Sequence, residues 1–278
     1  MDECDLVMKG GITSGVVYPK AIAGLSKKYR FRQVGGTSAG AIAAAVAASA
    51  EYNRENGGFD RLNEIPEDLT GGLEDLFQPR KPYKKLFKKA LKYLKDEKTP
   101  GFFFWVFNTR NILNAVKTLH STDFGFCPGT RTADGQGDAL VEWLNKRIEY
   151  TAGRIEELES ELPEQPLTFG MLKQRGITLR LVTTNLSQKR PESLPLRKGF
   201  KVKSEDLDWI MPVNVSNWIR RQGKGEEASL IDVPDNDDMP VILAVRLSLS
   251  FPLLFSTCLL YTSPSPRDRT RSRMPSSA

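Results

Sequence analysis

The chain has 278 residues, of which 40% are hydrophobic and 27% charged, and its formal net charge is +6. This length suffices for a sizeable core and favours one large α/β domain over two. The cysteines form no C-x-x-C pair and there is one histidine, so we expect a reducing, cytoplasmic setting with no metal and no cofactor. The acidic segment 1–5 lacks the features of a secretory signal, and none is expected.

A glycine-rich loop follows the first predicted strand, Leu6-Val7-Met8. The loop reads K-G-G-I-T-S-G at 9–15 and precedes a helical pattern over 16–28. Consecutive glycines after a strand leave backbone N–H groups able to converge on an anion, as an oxyanion hole requires. A phosphate-binding loop is the alternative. It is disfavoured because the order G-G-x-x-x-G is not G-x-G-x-x-G, and Val16-Val17 stands where a P-loop needs Lys and then Ser or Thr.

A second strand, predicted over 31–34, leads into G-T-S-A-G at 36–40 and then into an Ala-rich helical pattern. In a G-x-S-x-G elbow the flanking glycines avoid steric clashes, and the helix that follows aims its N-terminal amides at the hydroxyl. Ser38 is therefore the candidate nucleophile, with Gly36 and Gly40 shaping its elbow. Such a string is also compatible with a simple tight turn. The donor loop on the preceding strand-to-helix turn favours the catalytic interpretation.

The middle of the chain, about 60–165, is predicted to be a mainly helical insertion, including one long helix from Asp138 to Leu162. At 83–95, apolar residues recur at helical spacing, and an aromatic run follows at 102–107. The opposite face of this helix carries lysines, among them Lys84, Lys85, Lys88 and Lys89. This combination is typical of contact with an anionic membrane surface, although an ordinary helix packed on the core would have the same pattern. The sequence contains no recognisable nucleic-acid-binding module, so no nucleic-acid partner is expected.

Further strands are predicted in the last third of the chain. Apolar runs occur at 166–169, 179–185 and 240–255. The segment Val241 to Tyr261 is interpreted as a buried strand and turn rather than a membrane span, because Arg246 and Pro252 interrupt it. The alternation of strands and helices predicts a mainly parallel sheet with helices on both faces.

With these motifs, the chain resembles the patatin-like phospholipases, serine acyl hydrolases that cleave lipid esters with a Ser–Asp dyad. The resemblance covers about residues 4–256 and rests most specifically on the two glycine motifs. It implies an α/β fold: a three-layer αβα arrangement with a mainly parallel central sheet and a helical insertion. It also implies a lipid ester substrate, Ser38 as the nucleophile, and an oxyanion hole in the loop of Gly10, Gly11, Ile12 and Gly15.

The resemblance leaves the catalytic base unassigned. In the family, an Asp-Gly follows an S-x-S-x-P-x-x-F turn, which corresponds to 248–255 here, yet no Asp-Gly follows. Residues 257–278 are polar, basic and rich in Pro and Ser. We therefore expect a domain at 1–256 that is incomplete at its C-terminal end, and a natural disordered or artefactual tail at 257–278.

Other residues are weak candidates for the base. Asp268 lacks neighbouring glycines, Asp134 is better suited to a turn, and His120 falls at the end of a predicted helix. The missing aspartate predicts that the chain is inactive as given. It also keeps open a second function, a non-catalytic lipid-binding or scaffold protein with the same fold.

Overall fold

The structure, a computed structural model, describes residues 1–11, 14–68, 76–81, 84, 87, 125–133, 135–223, 229–249 and 253–262. The strands within these residues are β1 (Asp2–Met8), β2 (Tyr29–Thr37), β3 (Gly125–Cys127), β4 (Thr178–Asn185), β5 (Arg190–Leu194), β6 (Phe200–Lys203), β7 (Leu230–Asp232), β8 (Leu253–Phe255) and β9 (Tyr261–Thr262). The helices are α1 (Ser14–Ser26), α2 (Ala39–Tyr52), α3 (Gly58–Asp68), α4 (Leu140–Thr151), α5 (Phe169–Gln174), α6 (Ser204–Ile210), α7 (Val213–Gln222) and α8 (Val241–Ser248). Two 3₁₀ turns lie at Arg54–Asn56 and Asn236–Asp238.

The main sheet has the strand order β1-β2-β4-β5. The first two pairings are parallel, and β5 returns antiparallel to β4. Residues Leu6, Val34 and Leu179 lie side by side across the three parallel strands. Both crossovers, through α1 and α2, run in the same direction along the sheet, so their helices cover the same face. The predicted α/β class with a mainly parallel sheet is confirmed.

Helix α2 lies against the sheet beside Ser38 because its side chains are small. Its buried residues include Ala41, Ala44, Ala45, Ala47 and Ala48, all fully enclosed. Alanine keeps high helix propensity while allowing the helix axis to approach the strands closely. The approach of α2 to β1, β2 and β4 fixes where its N-terminus, and hence the elbow, sits at the carboxyl end of the sheet.

The prediction of a strand over the apolar run after Pro240 is wrong at its start, because Val241–Ser248 forms helix α8. Every residue from Val241 to Leu247 is buried. A segment buried on all sides has no polar face, so its periodicity cannot distinguish a helix from a strand. The predicted strand is limited to Leu253–Phe255, which is β8.

The long helix predicted from Asp138 to Leu162 is also wrong, because α4 ends at Thr151. Gly153 adopts φ 67° and donates its N–H to the Tyr150 carbonyl, while the Arg154 N–H reaches the Glu149 carbonyl. This pair of bonds is a Schellman motif, which uses a left-handed glycine to stop a helix. The acidic cluster at 156–161 therefore lies in turns.

Two smaller sheets complete the described architecture: the parallel pair β3-β8 and the antiparallel order β7-β6-β9. Strand β9 (Tyr261–Thr262) pairs with β6, and the boundary between domain and tail at 256 stays a prediction. Residues 263–278, and with them Asp268, lie outside the described residues, as do Ile12, Lys85, Lys88, Lys89, the 102–107 run, His120 and Asp134. Among the described helices, none combines the length and apolarity needed to cross a membrane.

Candidate active site

Ser38 lies between β2 and α2, as the G-x-S-x-G motif predicts. Its backbone has φ 56° and ψ −126°, a conformation that residues with side chains rarely adopt. Holding a non-glycine residue there costs on the order of 1–3 kcal/mol, and such strain concentrates at functional sites. The Ser38 carbonyl accepts the first hydrogen bond of α2, from the Ala41 N–H at 2.8 Å.

The two elbow glycines are required by close backbone contacts. A Cβ added to Gly36 would lie 2.1 Å from the Gly40 carbonyl oxygen. A Cβ added to Gly40 would lie 2.3 Å from the Met8 carbonyl oxygen. Because no side chain fits at either position, the first turn of α2 rests directly on the ends of β1 and β2.

The glycine loop after β1 reaches the elbow. A Cβ added to Gly10 would lie 2.9 Å from the Thr37 carbonyl oxygen, 3.0 Å from Ser38 Cβ and 3.7 Å from Ser38 Oγ. The base of the loop is anchored where the Tyr18 hydroxyl donates to the Lys9 carbonyl at 2.7 Å. The structure thus brings Gly10 to the side of Ser38, while Gly15 lies in the first turn of α1.

The Ser38 backbone N–H already has an acceptor. It donates to Ser248 Oγ at 3.0 Å, and the Ser248 hydroxyl donates in turn to the Val182 carbonyl on β4 at 2.7 Å. An N–H used in this way is not available to a substrate oxyanion. Sequence reasoning included Ser248 only as part of the turn motif and did not identify this contact.

Helix α8, which carries Ser248 at its C-terminal end, is anchored by a buried cation. Arg246 is 1% exposed and donates from one guanidinium nitrogen to the carbonyls of Pro128, at 2.9 Å, and Ser256, at 2.7 Å. These carbonyls follow β3 and β8, so Arg246 ties the small parallel sheet to α8. Gly129 leaves room for it, since a Cβ there would lie 3.0 Å from Arg246 Nε.

No carboxylate in the described part of the chain accepts a hydrogen bond from Ser38 Oγ. Although Asp134 is not described, Gly135 next to it donates its N–H to the Thr132 carbonyl at 2.8 Å in a turn. Gln78 packs on this turn and accepts from the Thr132 N–H at 3.2 Å. The role of Asp134 in a turn stays a prediction from its Asp-Gly sequence.

The predicted basic helix is described at two positions. Phe87, from its apolar face, is 4% exposed and packs against Phe77 with ring centroids 6.0 Å apart. Lys84, from its lysine face, is half-buried. The apolar face thus contributes to the core at this point, and the arrangement of the remaining lysines lies beyond the described ranges.

Comparisons with known proteins place this site in a family. A family model described as patatin-like phospholipase matches residues 6–272. A curated relative named "RpoH suppressor", from Rhizobium meliloti (strain 1021), is 29% identical over 347 aligned residues, which cover 95% of this chain and 53% of the relative. The chain therefore spans about half the length of that relative. No solved structure matches.

The observed sheet and helices are consistent with the three-layer αβα arrangement expected from the resemblance. The family match includes both glycine motifs, the β4 segment and the whole of α8. The chain belongs to the patatin-like phospholipase family.

Proposed function

We propose that this protein is a serine acyl hydrolase that cleaves lipid esters through an acyl-enzyme on Ser38. The observation that carries the proposal is the contact between the glycine loop and the strained elbow, with Gly10 packed against Ser38. A half-buried serine next to a loop whose amides converge can attack a carbonyl and stabilise the resulting oxyanion. Family membership supports lipid esters as the substrate class.

In the proposed reaction, Ser38 Oγ bonds to the ester carbonyl carbon, and its proton passes to a base. The tetrahedral oxyanion is held by backbone amides of Gly10, Gly11 and Ile12. The ester C–O bond then breaks, and the alcohol leaves after receiving the proton. Water hydrolyses the acyl-enzyme by the same route and releases the fatty acid.

The base in this scheme is a carboxylate, as in the family's Ser–Asp dyad. No Asp-Gly occurs between Phe255 and Ala278. General-base assistance typically contributes ~10²–10⁴-fold, so we infer that the 278-residue chain turns over substrate slowly. The same observation favours the second candidate function, a non-catalytic lipid-binding or scaffold protein.

We further propose peripheral contact with anionic membrane surfaces through Lys84, Lys85, Lys88 and Lys89. Four cations on one face of an amphipathic helix attract anionic headgroups, and Lys84 and Phe87 are both helical in the structure, with Lys84 half-buried and Phe87 buried. A cytoplasmic location is proposed because Cys4, Cys127 and Cys258 all remain thiols.

Hydrolysis by the Ser38→Ala variant tests the proposal. We expect this variant to lose the esterase activity of the parent chain towards a soluble p-nitrophenyl ester and towards phospholipid vesicles. Ser187→Ala is the control, since Ser187 is an exposed serine that follows β4 at the same end of the sheet. Because the parent chain is expected to be slow, its rate is first measured above the uncatalysed background; an equal rate above background in Ser38→Ala would refute the assignment. Vesicle binding without hydrolysis would favour the scaffold function.

A further inference from the structure

The elbow needs a contact that holds it in place, because Ser38 occupies a region of φ and ψ that its own side chain disfavours. Left without support, the backbone there would relax towards an ordinary conformation and carry Oγ away from Gly10. The residues next to Ser38 in sequence supply the turn but no side-chain cap for α2. The contact therefore has to come from elsewhere in the fold.

The Ser248 hydroxyl makes this contact, although 210 positions separate it from Ser38. A hydroxyl has one proton to donate and lone pairs that accept. Ser248 uses the proton on the Val182 carbonyl and a lone pair on the Ser38 N–H, so the three groups form one directed chain. Each bond in such a chain polarises the next, which strengthens the chain beyond two separate bonds.

The position of Ser248 is set independently of the elbow. Arg246, two residues earlier on α8, is buried and bonded to the carbonyls of Pro128 and Ser256. A second hydroxyl joins α8 to β4 without contacting Ser38, because Thr183 Oγ1 donates to the Leu247 carbonyl at 2.7 Å. Ser248 thus extends from a fixed helix end and holds the elbow against β4.

We propose that Ser248 is a positioning residue that locks the nucleophile elbow in its active conformation. The inference rests on the proposed function, in which Ser38 is the nucleophile. Because Ser248 accepts the Ser38 N–H, that N–H is not available to the oxyanion. Loss of the hydroxyl should lower kcat and leave KM unchanged, since Ser248 aligns the attacking atom and does not bind substrate.

Amide hydrogen exchange, followed by NMR, tests the lock without requiring catalysis. In Ser248→Ala we expect the Ser38 N–H to exchange at least about tenfold faster than in the parent chain, because its acceptor is lost. Ser248→Thr keeps the hydroxyl and should restore protection. Thr183→Val is the matched control: it removes a hydrogen bond between the same two elements and should leave Ser38 protection unchanged. Unchanged exchange in Ser248→Ala, or equal acceleration in Thr183→Val, would overturn the proposal.

The kinetic arm uses the same variants. We expect a kcat loss of about tenfold or more for Ser248→Ala with KM preserved, and recovery in Ser248→Thr. If Ser248→Ala does not fold, Ser248→Cys puts a weaker acceptor at the same position and should give intermediate exchange; parent-like exchange in that variant would overturn the proposal. The predicted exchange pattern, together with no fluorophosphonate adduct on Ser38, would count against the proposed function alone, and the lock would stand.

Discussion

Substituting Gly40 by alanine perturbs the close backbone approach between α2 and the end of β1. The added Cβ would lie 2.3 Å from the Met8 carbonyl oxygen and 2.8 and 2.9 Å from the carbonyl carbons of Met8 and Lys9. Ordinary van der Waals contact begins near 3.4 Å, so α2 and the end of β1 must separate by about 1 Å. All three contacts are backbone atoms, and no side-chain rotation relieves them.

This separation should lower the free energy of unfolding. Overpacking of a well-packed interior typically costs 1–3 kcal/mol, and Gly40→Ala falls at the upper end, at about 2–3 kcal/mol. For a domain of this size that corresponds to a decrease in Tm of about 3–5 °C. Since Met8 and Lys9 lead directly into Gly10, the displacement also moves the donor loop away from Ser38, and hydrolysis should fall further than stability alone explains.

Thermal and urea unfolding followed by circular dichroism measure the effect. Gly24→Ala is the matched control, because Gly24 lies in α1 and a Cβ there meets nothing within 4 Å. That substitution should stabilise the chain by about 0.5–1 kcal/mol through helix propensity. A Gly40→Ala variant as stable as the parent, or as stable as Gly24→Ala, would refute the close packing of elbow and strand.

Three further predictions concern other parts of the chain. Glu149 is fully buried, and its carboxylate lies 2.6 Å from Arg154 Nε. Burial raises the pKa of Glu149, and Arg154 opposes this rise. Arg154→Met should therefore raise that pKa further and lower the free energy of unfolding by about 3–5 kcal/mol at pH 8. This loss should shrink as the pH falls and the Glu149 carboxyl protonates, and a pH-independent loss in urea titrations would contradict the reasoning. Burial raises the pKa of Cys127 to about 12, so iodoacetamide at pH 8 should alkylate Cys258 long before Cys127; equal rates in peptide mapping would argue against the burial. Reversal of Lys84, Lys85, Lys88 and Lys89 to Glu should weaken binding to anionic vesicles by orders of magnitude, at about 1 kcal/mol per lysine; equal co-sedimentation at low salt would return this helix to a purely structural role.

The first half of the site could be predicted from sequence because its signals are local. The glycine loop directly follows β1, and the elbow directly follows β2. The glycine spacing of each motif therefore predicts its strand-to-helix turn. Residues of β4 alternate between buried and exposed positions, as a strand with one face on the core requires: Leu179 and Leu181 face the core, while Arg180 and Val182 face outwards. Local patterns thus predicted both the class of fold and the nucleophile elbow.

Features that depend on distant residues were not predictable in this way. The helical state of Val241–Ser248 is hidden because the whole segment is buried, and the Ser248 contact joins residues 210 positions apart. The end of α4 had a local signal in Gly153, but its weight became clear only from the two Schellman bonds. The catalytic carboxylate stays a prediction, since neither motif nor described contact assigns it.

Covalent labelling of Ser38 tests the central claim most directly. A fluorophosphonate probe reacts once per molecule, so slow turnover does not prevent labelling during a long incubation of the 278-residue chain. Peptide mapping by mass spectrometry should find the phosphonyl adduct on Ser38, and the Ser38→Ala variant should remain unlabelled. Exhaustive incubation without an adduct on Ser38, or equal labelling of the Ser38→Ala variant, would contradict the assignment of Ser38 as the nucleophile.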